Sequence, residues 1–424
     1  MKSAMDKVLI ILPTWVGDYV MATPLLRTLR EHYSDSRMIY LHEPNLTDLI
    51  SGCPWPDMCI ALPAKNKRHL WHGVFRQMLA QLRREQIDIA ILLPNSFRAA
   101  ATAFLTGAKQ RIGYDRDGRR LLLTRPIPVV NRRENWDKNQ SSPKSQTAEP
   151  DRVETAATGP SSQATLTNLG WQPSPFALRI PPELPTTPGR FIPMRMVDYY
   201  AGIALAVGAI APGQNFELHT TQACNDSLDQ KLRDLHVEPD RLKVVLSPGA
   251  KFGAAKCWPA DRFASAADYL VKHYGAEILI TCGPGEEPIA RAIGHGMTER
   301  RHVLDDPRLS LGELKSLIAT CDLLVCNDAG PRHFAKAFGK PVVTLYGPTH
   351  PEWTATDYDL EQIVRLDVDC GPCQQRVCPL DHHRCMTELS VARACQAADY
   401  LLRIRLENRK TADSKAARTS THTS

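Results

Sequence analysis

Val8-Leu-Ile-Ile-Leu12-Pro-Thr-Trp-Val-Gly-Asp18 decides how the chain is read. Five successive apolar residues, rich in branched side chains, make a short strand buried on both faces. The loop behind it ends on a glycine and a carboxylate. A helix then reads over residues 20–32, with Thr23 as its cap and Pro24 in its first turn. Outward from this unit, Arg37–Leu41 reads as a second strand and residues 70–84 carry apolar side chains at helical spacing. Ile87–Leu93 is a further apolar strand. Strands separated by helices predict a parallel sheet with crossover helices.

This regularity stops after residue 130. Residues 131–175 contain only five large apolar side chains, Trp136, Val153, Leu166, Leu169 and Trp171, and prolines continue to Pro193. So polar a stretch cannot offset the entropy of ordering, and the reading for 131–190 is a disordered insertion. Helical spacing returns at Met196–Val207. A second series follows: strands Lys243–Ser247, Glu277–Cys282, Leu323–Cys326 and Pro341–Leu345, with helices Pro259–Tyr274, Leu311–Thr320 and one opening at Gly330. The expected architecture is therefore α/β, with two Rossmann-like α/β/α domains facing across a cleft. The first spans 1–215 and contains the insertion, the second spans 216–405, and 406–424 forms a flexible tail. In such an arrangement the ligand lies at the carboxyl ends of both sheets.

Composition bounds the function. The 424 residues suffice for two or three domains, and 43% hydrophobic with 23% charged residues is ordinary for a soluble protein. No apolar run approaches the ~20 residues of a membrane span, and Val8–Leu12 is shorter than the ~7–15 residues of a signal-peptide core. The expected location is cytoplasmic, and the twelve cysteines are expected as reduced thiols. Residues 1–130 hold 18 Lys/Arg against 11 Asp/Glu, whereas the remainder holds 34 against 35. The basic excess thus lies in the first domain and suits an anionic ligand or surface there. No nucleic-acid motif or aromatic-interleaved basic stripe accompanies it, so nucleic acid is not an expected partner.

Several loops at strand ends carry candidate chemistry. Asp18 is placed to act as a general base, or else caps a helix. Ser247-Pro-Gly-Ala-Lys-Phe-Gly-Ala-Ala-Lys256 sets two lysines in a small-residue loop, suited to phosphate or simply solvated. It lacks the ending of a Walker loop, and the strands carry no G-x-G-x-x-G fingerprint. Asn327-Asp-Ala-Gly-Pro-Arg-His333 opens a helix whose free N–H groups suit an anion, with Asp328 either on a ribose or base edge or capping the helix. Gly347-Pro-Thr349 and Gly283-Pro-Gly-Glu-Glu287 repeat the strand-to-loop geometry.

Taken together, these motifs resemble glycosyltransferase family 9, the heptosyltransferases, and within it the heptosyltransferase II type. The residues that carry the resemblance are Leu12–Asp18, Leu93-Pro-Asn-Ser-Phe97, Pro248–Lys256 with Trp258-Pro259, Asn327–Gly330 with His333, and Leu345-Tyr-Gly-Pro348. The resemblance implies a GT-B fold and a metal-independent, inverting transfer of heptose from ADP-heptose to the inner core of lipopolysaccharide. The acceptor would be lipid A with its first acidic sugars, already carrying one heptose. It implies Asp18 as the base on the acceptor hydroxyl and Lys256 as the cation on the diphosphate. Ser247, Gly249, Asp328, Ala329, Gly330 and His333 would line the nucleotide-sugar, with Glu287 on the ribose. Ala329 stands where family members often carry serine, and the insertion at 131–190 is outside the usual pattern. The implied partners are the ADP-heptose donor and an acceptor at the inner membrane surface, with peripheral attachment there. Oligomeric state is not legible. A nucleotide-sugar epimerase of the same architecture, or a non-enzymatic binder of anionic surfaces, are the competing readings.

Cys370, Cys373, Cys378 and Cys385 form a C-x2-C-x4-C-x6-C cluster with His382 and His383 between the last two. Four thiols within sixteen residues match the ligand count of a zinc or iron–sulfur site, but not the paired spacing of a zinc ribbon. A structural metal and a loop of reduced thiols both remain open.

Overall fold

The computed structural model describes residues 6–63, 73–128 and 194–420. The insertion read at 131–190 lies outside the described residues. The first sheet is built from β1 (Lys7–Ile11), β2 (Arg37–His42), β3 (Met58–Ala61), β4 (Ile89–Leu92), β5 (Gln110–Tyr114) and β6 (Arg125–Ile127), in the order β3-β2-β1-β4-β5-β6. Every neighbouring pair is parallel, with Val8 opposite Met38 on one side and Ile89 on the other. The second sheet uses β7 (Lys243–Ser247), β8 (Glu277–Thr281), β9 (His302–Leu304), β10 (Leu323–Asn327), β11 (Val342–Tyr346) and β12 (Glu361–Arg365). Its order, β12-β11-β10-β7-β8-β9, is the first sheet's order repeated with new strands. Central strands are apolar throughout because helices cover both faces; β1 is buried along Val8–Ile11 and β10 along its whole length.

Helix α1 (Val16–His32) begins earlier than the sequence predicts and runs straight through Pro24. Proline lacks the N–H that would bond the carbonyl four residues back, that of Val20. The Thr23 hydroxyl donates to that same carbonyl at 2.7 Å and so replaces the missing bond. Thr23 is thus a repair within the helix and not its cap. Across the described residues, α2 (Thr47–Ile50), α3 (Gly73–Glu85), α4 (Phe97–Leu105) and α5 (Met196–Val207) complete the first domain. α5 lies against α1 and β5, so the chain returns to the first sheet after residue 193.

The second sheet is flanked by α6 (Gln222–Asp234), α7 (Ala260–Tyr274), α8 (Glu287–Gly296), α9 (Leu311–Thr320) and α10 (Gly330–Ala337), then short α11 (Arg384–Thr387) and α12 (Val391–Ser420). α9 opens with a Ser310–Glu313 capping box, and Glu313 also binds Ser227 and Lys231 of α6. The stretch expected to be a flexible tail after residue 405 is helical to Ser420. Its composition permits this: Ala, Lys and Arg supply seven of residues 406–420 and no Gly or Pro interrupts.

One apolar cluster runs from Val8, Leu25, Leu26 and Ile203 of the first domain to Leu317, Ile318 and Phe334 of the second. A buried lysine joins the domains as well. Lys315 of α9 sends its ammonium to the main-chain oxygens of Asp48, Leu49 and Ser51, at 3.0, 3.2 and 2.8 Å, capping the carboxyl end of α2. Burial pushes its pKa down to about 8. At the centre, α1 and α10 meet start to start. A Cβ added to Gly17 would lie 3.1 Å from the His333 ring, and one on Gly330 would lie 3.0 Å from Val16.

Candidate active site

Asp18 occupies the third position of α1. Trp15 is the N-cap, no side chain caps this helix, and the Asp18 carboxylate has no hydrogen-bond or ion-pair partner among the described residues. The capping alternative is therefore unfilled and the carboxylate stays available. It lines a cavity of about 590 Å³ together with Trp15, Asn95, Ser96, Arg98 and Tyr199. Burial without a compensating cation pushes its pKa up to about 6. A carboxylate poised there can take a proton near neutral pH.

The cavity's far wall is braced from below. The fully buried Arg119 donates to the main-chain oxygens of Tyr114 and Pro94 and, at 3.1 Å, to Asn95 Oδ1. Tyr199 of α5 donates its hydroxyl to the same Oδ1. Arg98 pairs with Glu43 behind β2.

On the second domain, Lys256 ends a single 3-10 turn, Ala254–Lys256, and reaches across to β10. Its Nζ donates to Asp328 Oδ2 at 2.5 Å and to the Asp328 carbonyl at 3.0 Å, and it sits 4.8 Å from the centre of the Phe252 ring. Asp328 also accepts from Thr349 at 2.7 Å and from Arg332 at 3.2 Å. Both of its carboxylate oxygens are thereby engaged inside the domain, and it does not cap α10, whose N-cap is Ala329. In this arrangement it holds the Lys256 ammonium. Burial opposes its charge, yet Lys256 and Arg332 together hold the carboxyl far below the usual range.

The chain of charges continues inward. Fully buried Arg332 places Nε 2.9 Å from Glu361 of β12, and Lys336 reaches the same carboxylate at 2.6 Å. Thr344 donates to Glu361 at 2.7 Å. Three cations, Lys256, Arg332 and Lys336, thus face two carboxylates, Asp328 and Glu361. Burial and the neighbouring Arg332 push Lys336 down to about 8. His333 follows Arg332 on α10; burial first, then the adjacent cations, hold its pKa well below the ordinary imidazole value, so it is neutral. Its Nδ1 is buried without a partner among the described residues.

Ser247 ends β7, and Gly249 follows it in the same loop. Of the two acids after Gly285, Glu286 is the one that faces this loop. It accepts from the Gly283 N–H at 2.8 Å and fills the space a Cβ on Gly249 would need. Glu287, the residue expected on the ribose, opens α8 and is paired with Arg308 at 2.5 Å. Adjacent residues in a helix start point in different directions, which one-dimensional spacing does not distinguish.

The cysteine loop lies behind Lys256. Cys370, Cys373, Cys378 and Cys385 line a cavity of about 170 Å³ with His382 and Ala255. Among the described residues no group of three or more His, Cys, Asp or Glu side chains is arranged to hold a metal ion, and the cysteines are free thiols. Burial, with the other three thiols near it, pushes Cys385 up to about 11. The loop grips the turn that carries Lys256. His383 Nε2 lies 2.7 Å from the Ala255 carbonyl, the Ala255 N–H donates to the main-chain oxygen of Arg376 at 3.1 Å, and the Arg376 guanidinium lies 5.5 Å over the Phe252 ring.

Sequence reading missed Arg332 as an organiser, together with Glu361, Lys336, Asn95 and Arg119. Asp328 and Arg332 are one helical turn apart, a signal present in the sequence. Lys336 lies one further turn along the same helix, while Glu361, Asn95 and Arg119 reach their partners only through strand order.

Two parallel sheets, with a carboxylate unpaired among the described residues on one side and a cation-rich helix start on the other, make a GT-B architecture. The sequence profile "Glycosyltransferase family 9 (heptosyltransferase)" matches residues 75–140 and 195–384. The chain belongs to this family and is a glycosyltransferase. It is 28% identical over 415 residues to lipooligosaccharide heptosyltransferase 2 of Haemophilus ducreyi, covering 93% of this chain and 99% of that one. It is 24% identical over 409 residues to lipopolysaccharide heptosyltransferase 2 of Escherichia coli, covering 93% and 98%. The fold matches the solved E. coli ADP-heptose lipopolysaccharide heptosyltransferase II with a TM-score of 0.65 at 22% identity, over 93% of this chain and 98% of that one. Among the described residues no helix is long and apolar enough to cross a membrane.

Proposed function

We propose that this enzyme transfers heptose from ADP-heptose to the inner core of lipopolysaccharide with inversion at the sugar carbon, acting at the cytoplasmic face of the inner membrane. The relatives' activities support the donor and acceptor classes. The observation that carries the mechanism is the contact of α1 and α10, which sets Asp18 one residue from the point where the two domains touch. The acceptor occupies the Asp18 cavity and the donor lies along the start of α10. Asp18 takes the proton of the acceptor hydroxyl as the new C–O bond forms. On the opposite face the bond to the ADP oxygen breaks, and ADP leaves with the electron pair. The charge that grows on ADP is met by Lys256 and by the N–H groups at the start of α10. The surplus of one positive charge in the buried chain suits a diphosphate, and no divalent ion is needed in this account.

A cavity beside Asp18, separate from the start of α10 where the donor lies, favours transfer over epimerisation, which has no second substrate. Asp18→Asn is expected to lower turnover by ~10²–10⁴-fold while ADP-heptose affinity, read by calorimetry, stays near wild type. Transfer at the wild-type rate in the variant would remove Asp18 from the mechanism. ADP release that proceeds equally without acceptor would overturn the transferase assignment of the cavity. Loss of activity in EDTA, restored by Mg²⁺, would overturn the metal-free account.

A further inference from the structure

The outer face of the first domain is chemically uneven. Residues 97–125 contain seven Lys/Arg and only two acids, Asp115 and Asp117. Arg119 is buried, and the other six basic residues keep contact with solvent. The same stretch exposes three large apolar side chains: Phe97 at 55%, Phe104 at 51% and Leu121 at 93%. Phe97 and Phe104 are seven residues apart on α4 and so share one face two turns apart. Leu121 belongs to the 3-10 turn Arg120–Leu122, which lies against α4. Arg111 ties the two together. Its guanidinium lies 5.3 Å over the Phe104 ring, and its Nε donates to the Leu122 carbonyl at 2.7 Å.

This patch borders the active site. Ser96, the cap of α4, and Arg98 in its first turn both line the Asp18 cavity. Arg98, Lys109 and Arg120 pair with Glu43, Asp88 and Asp115, whereas Arg111 and Arg125 hydrogen-bond to main-chain oxygens and keep their charge unpaired by acid among the described residues. Apolar tips with such cations beside them suit the interface of an anionic bilayer, where apolar groups enter the headgroup boundary and cations meet phosphate. The same charge argues against a second copy of the chain, because two such faces would repel.

We propose that the face formed by α4 and the 120–122 turn docks on the anionic headgroup layer of a lipid bilayer, with Phe97, Phe104 and Leu121 entering it. The docked enzyme then presents its acceptor cavity to a lipid-linked sugar at the membrane surface. This assignment rests on the lipid-borne acceptor proposed above.

The test uses the full chain and vesicles of phosphatidylethanolamine with phosphatidylglycerol, compared with phosphatidylethanolamine and phosphatidylcholine. Flotation should show binding to the anionic vesicles and weaker binding at high salt. The double variant Phe104→Ser/Leu121→Ser should lose about tenfold in vesicle partitioning for each side chain removed. Its thermal unfolding midpoint, and its ADP release with a delipidated inner-core oligosaccharide, should match wild type. Vesicle binding equal to wild type in the variant would overturn the proposal, as would wild-type protein that ignores anionic vesicles. A wild-type dimer dissolved by the variant would make the patch a self-interface instead. A variant that unfolds early, or that loses turnover on the soluble acceptor, would make it part of the fold or the acceptor site. If neither protein releases ADP with any acceptor, the transferase reading fails while the flotation result still decides the docking surface.

Discussion

The two domains share one strand order and use it for opposite chemistry. In the first, the loops after β1 and β4 frame an open cavity in which Asp18 stands without a partner among the described residues. In the second, the loops after β7 and β10 close on a chain in which every charge touches another. The shared topology explains where each site lies, at the carboxyl ends of strands flanking the point where the order reverses. It says nothing of what the site does. The first domain leaves its carboxylate without a cation among the described residues, so burial raises the pKa; the second surrounds its carboxylates with cations, which outweigh burial and drive them low.

The contrast breaks most visibly through the buried chain. Glu361→Gln leaves Arg332 and Lys336 without their carboxylate, and it should cost about 3–5 kcal/mol of unfolding free energy, as losing one partner of a buried pair does. Chemical denaturation measures this, and an unchanged midpoint would mean the chain is not what holds β12 to α10. Lys256→Ala should raise the transfer barrier by roughly 3–4 kcal/mol, with weaker donor binding. Single-turnover kinetics separates those two losses, and a variant that merely binds ADP-heptose more weakly would take Lys256 out of the chemical step.

Acid should split the two domains' behaviour. Asp18 has its pKa near 6, so kcat/KM should fall tenfold per pH unit below that value. Asp328 and Glu361 are held below their unfolded values, so their contribution to stability is present above the ordinary carboxyl range. It is lost only as pH drops through their lower folded values. At pH 5 the enzyme should thus be slow and still folded, by circular dichroism; coincident loss of both would contradict the separation. The smallest effect is a gain. A carboxyl whose folded pKa exceeds its unfolded one costs stability once pH rises above the unfolded value, so Asp18→Asn should stabilise the protein at pH 7. Discounted for partial exposure, the gain is about 1 kcal/mol, read as a higher midpoint in denaturant.

Much of this was legible before any coordinates. The central strands β1, β4, β7, β8, β10 and β11 are short apolar runs, and burial on both faces leaves that mark in any sequence. The edges were not. β6 is Arg-Pro-Ile and β12 is Glu-Gln-Ile-Val-Arg, composed for partial exposure or for ion pairing, and neither reads as a strand. The sequence points to too short an α1 because Pro24 ordinarily sits in a first turn, and only the Thr23 hydroxyl reveals why it does not here. The site followed the same division. Asp328 directly follows a legible strand, and Asp18 and Lys256 stand in the segments that follow two others. Glu361 sits on an illegible edge strand, and its meeting with Arg332 depends on β11 lying between β10 and β12.

The glycine contact between α1 and α10 turns the enzyme into its own calliper. Each missing Cβ at Gly17 and Gly330 marks a place where the gap between domains is only one carbon wide. Alanine, serine and valine inserted there form a graded series of shims, each prying the halves apart a little further. Distance labels placed far out on α3 and α8 would magnify those increments as a lever does. The smallest shim that stops transfer would then give, in single atoms, how close the halves must come for the sugar to cross.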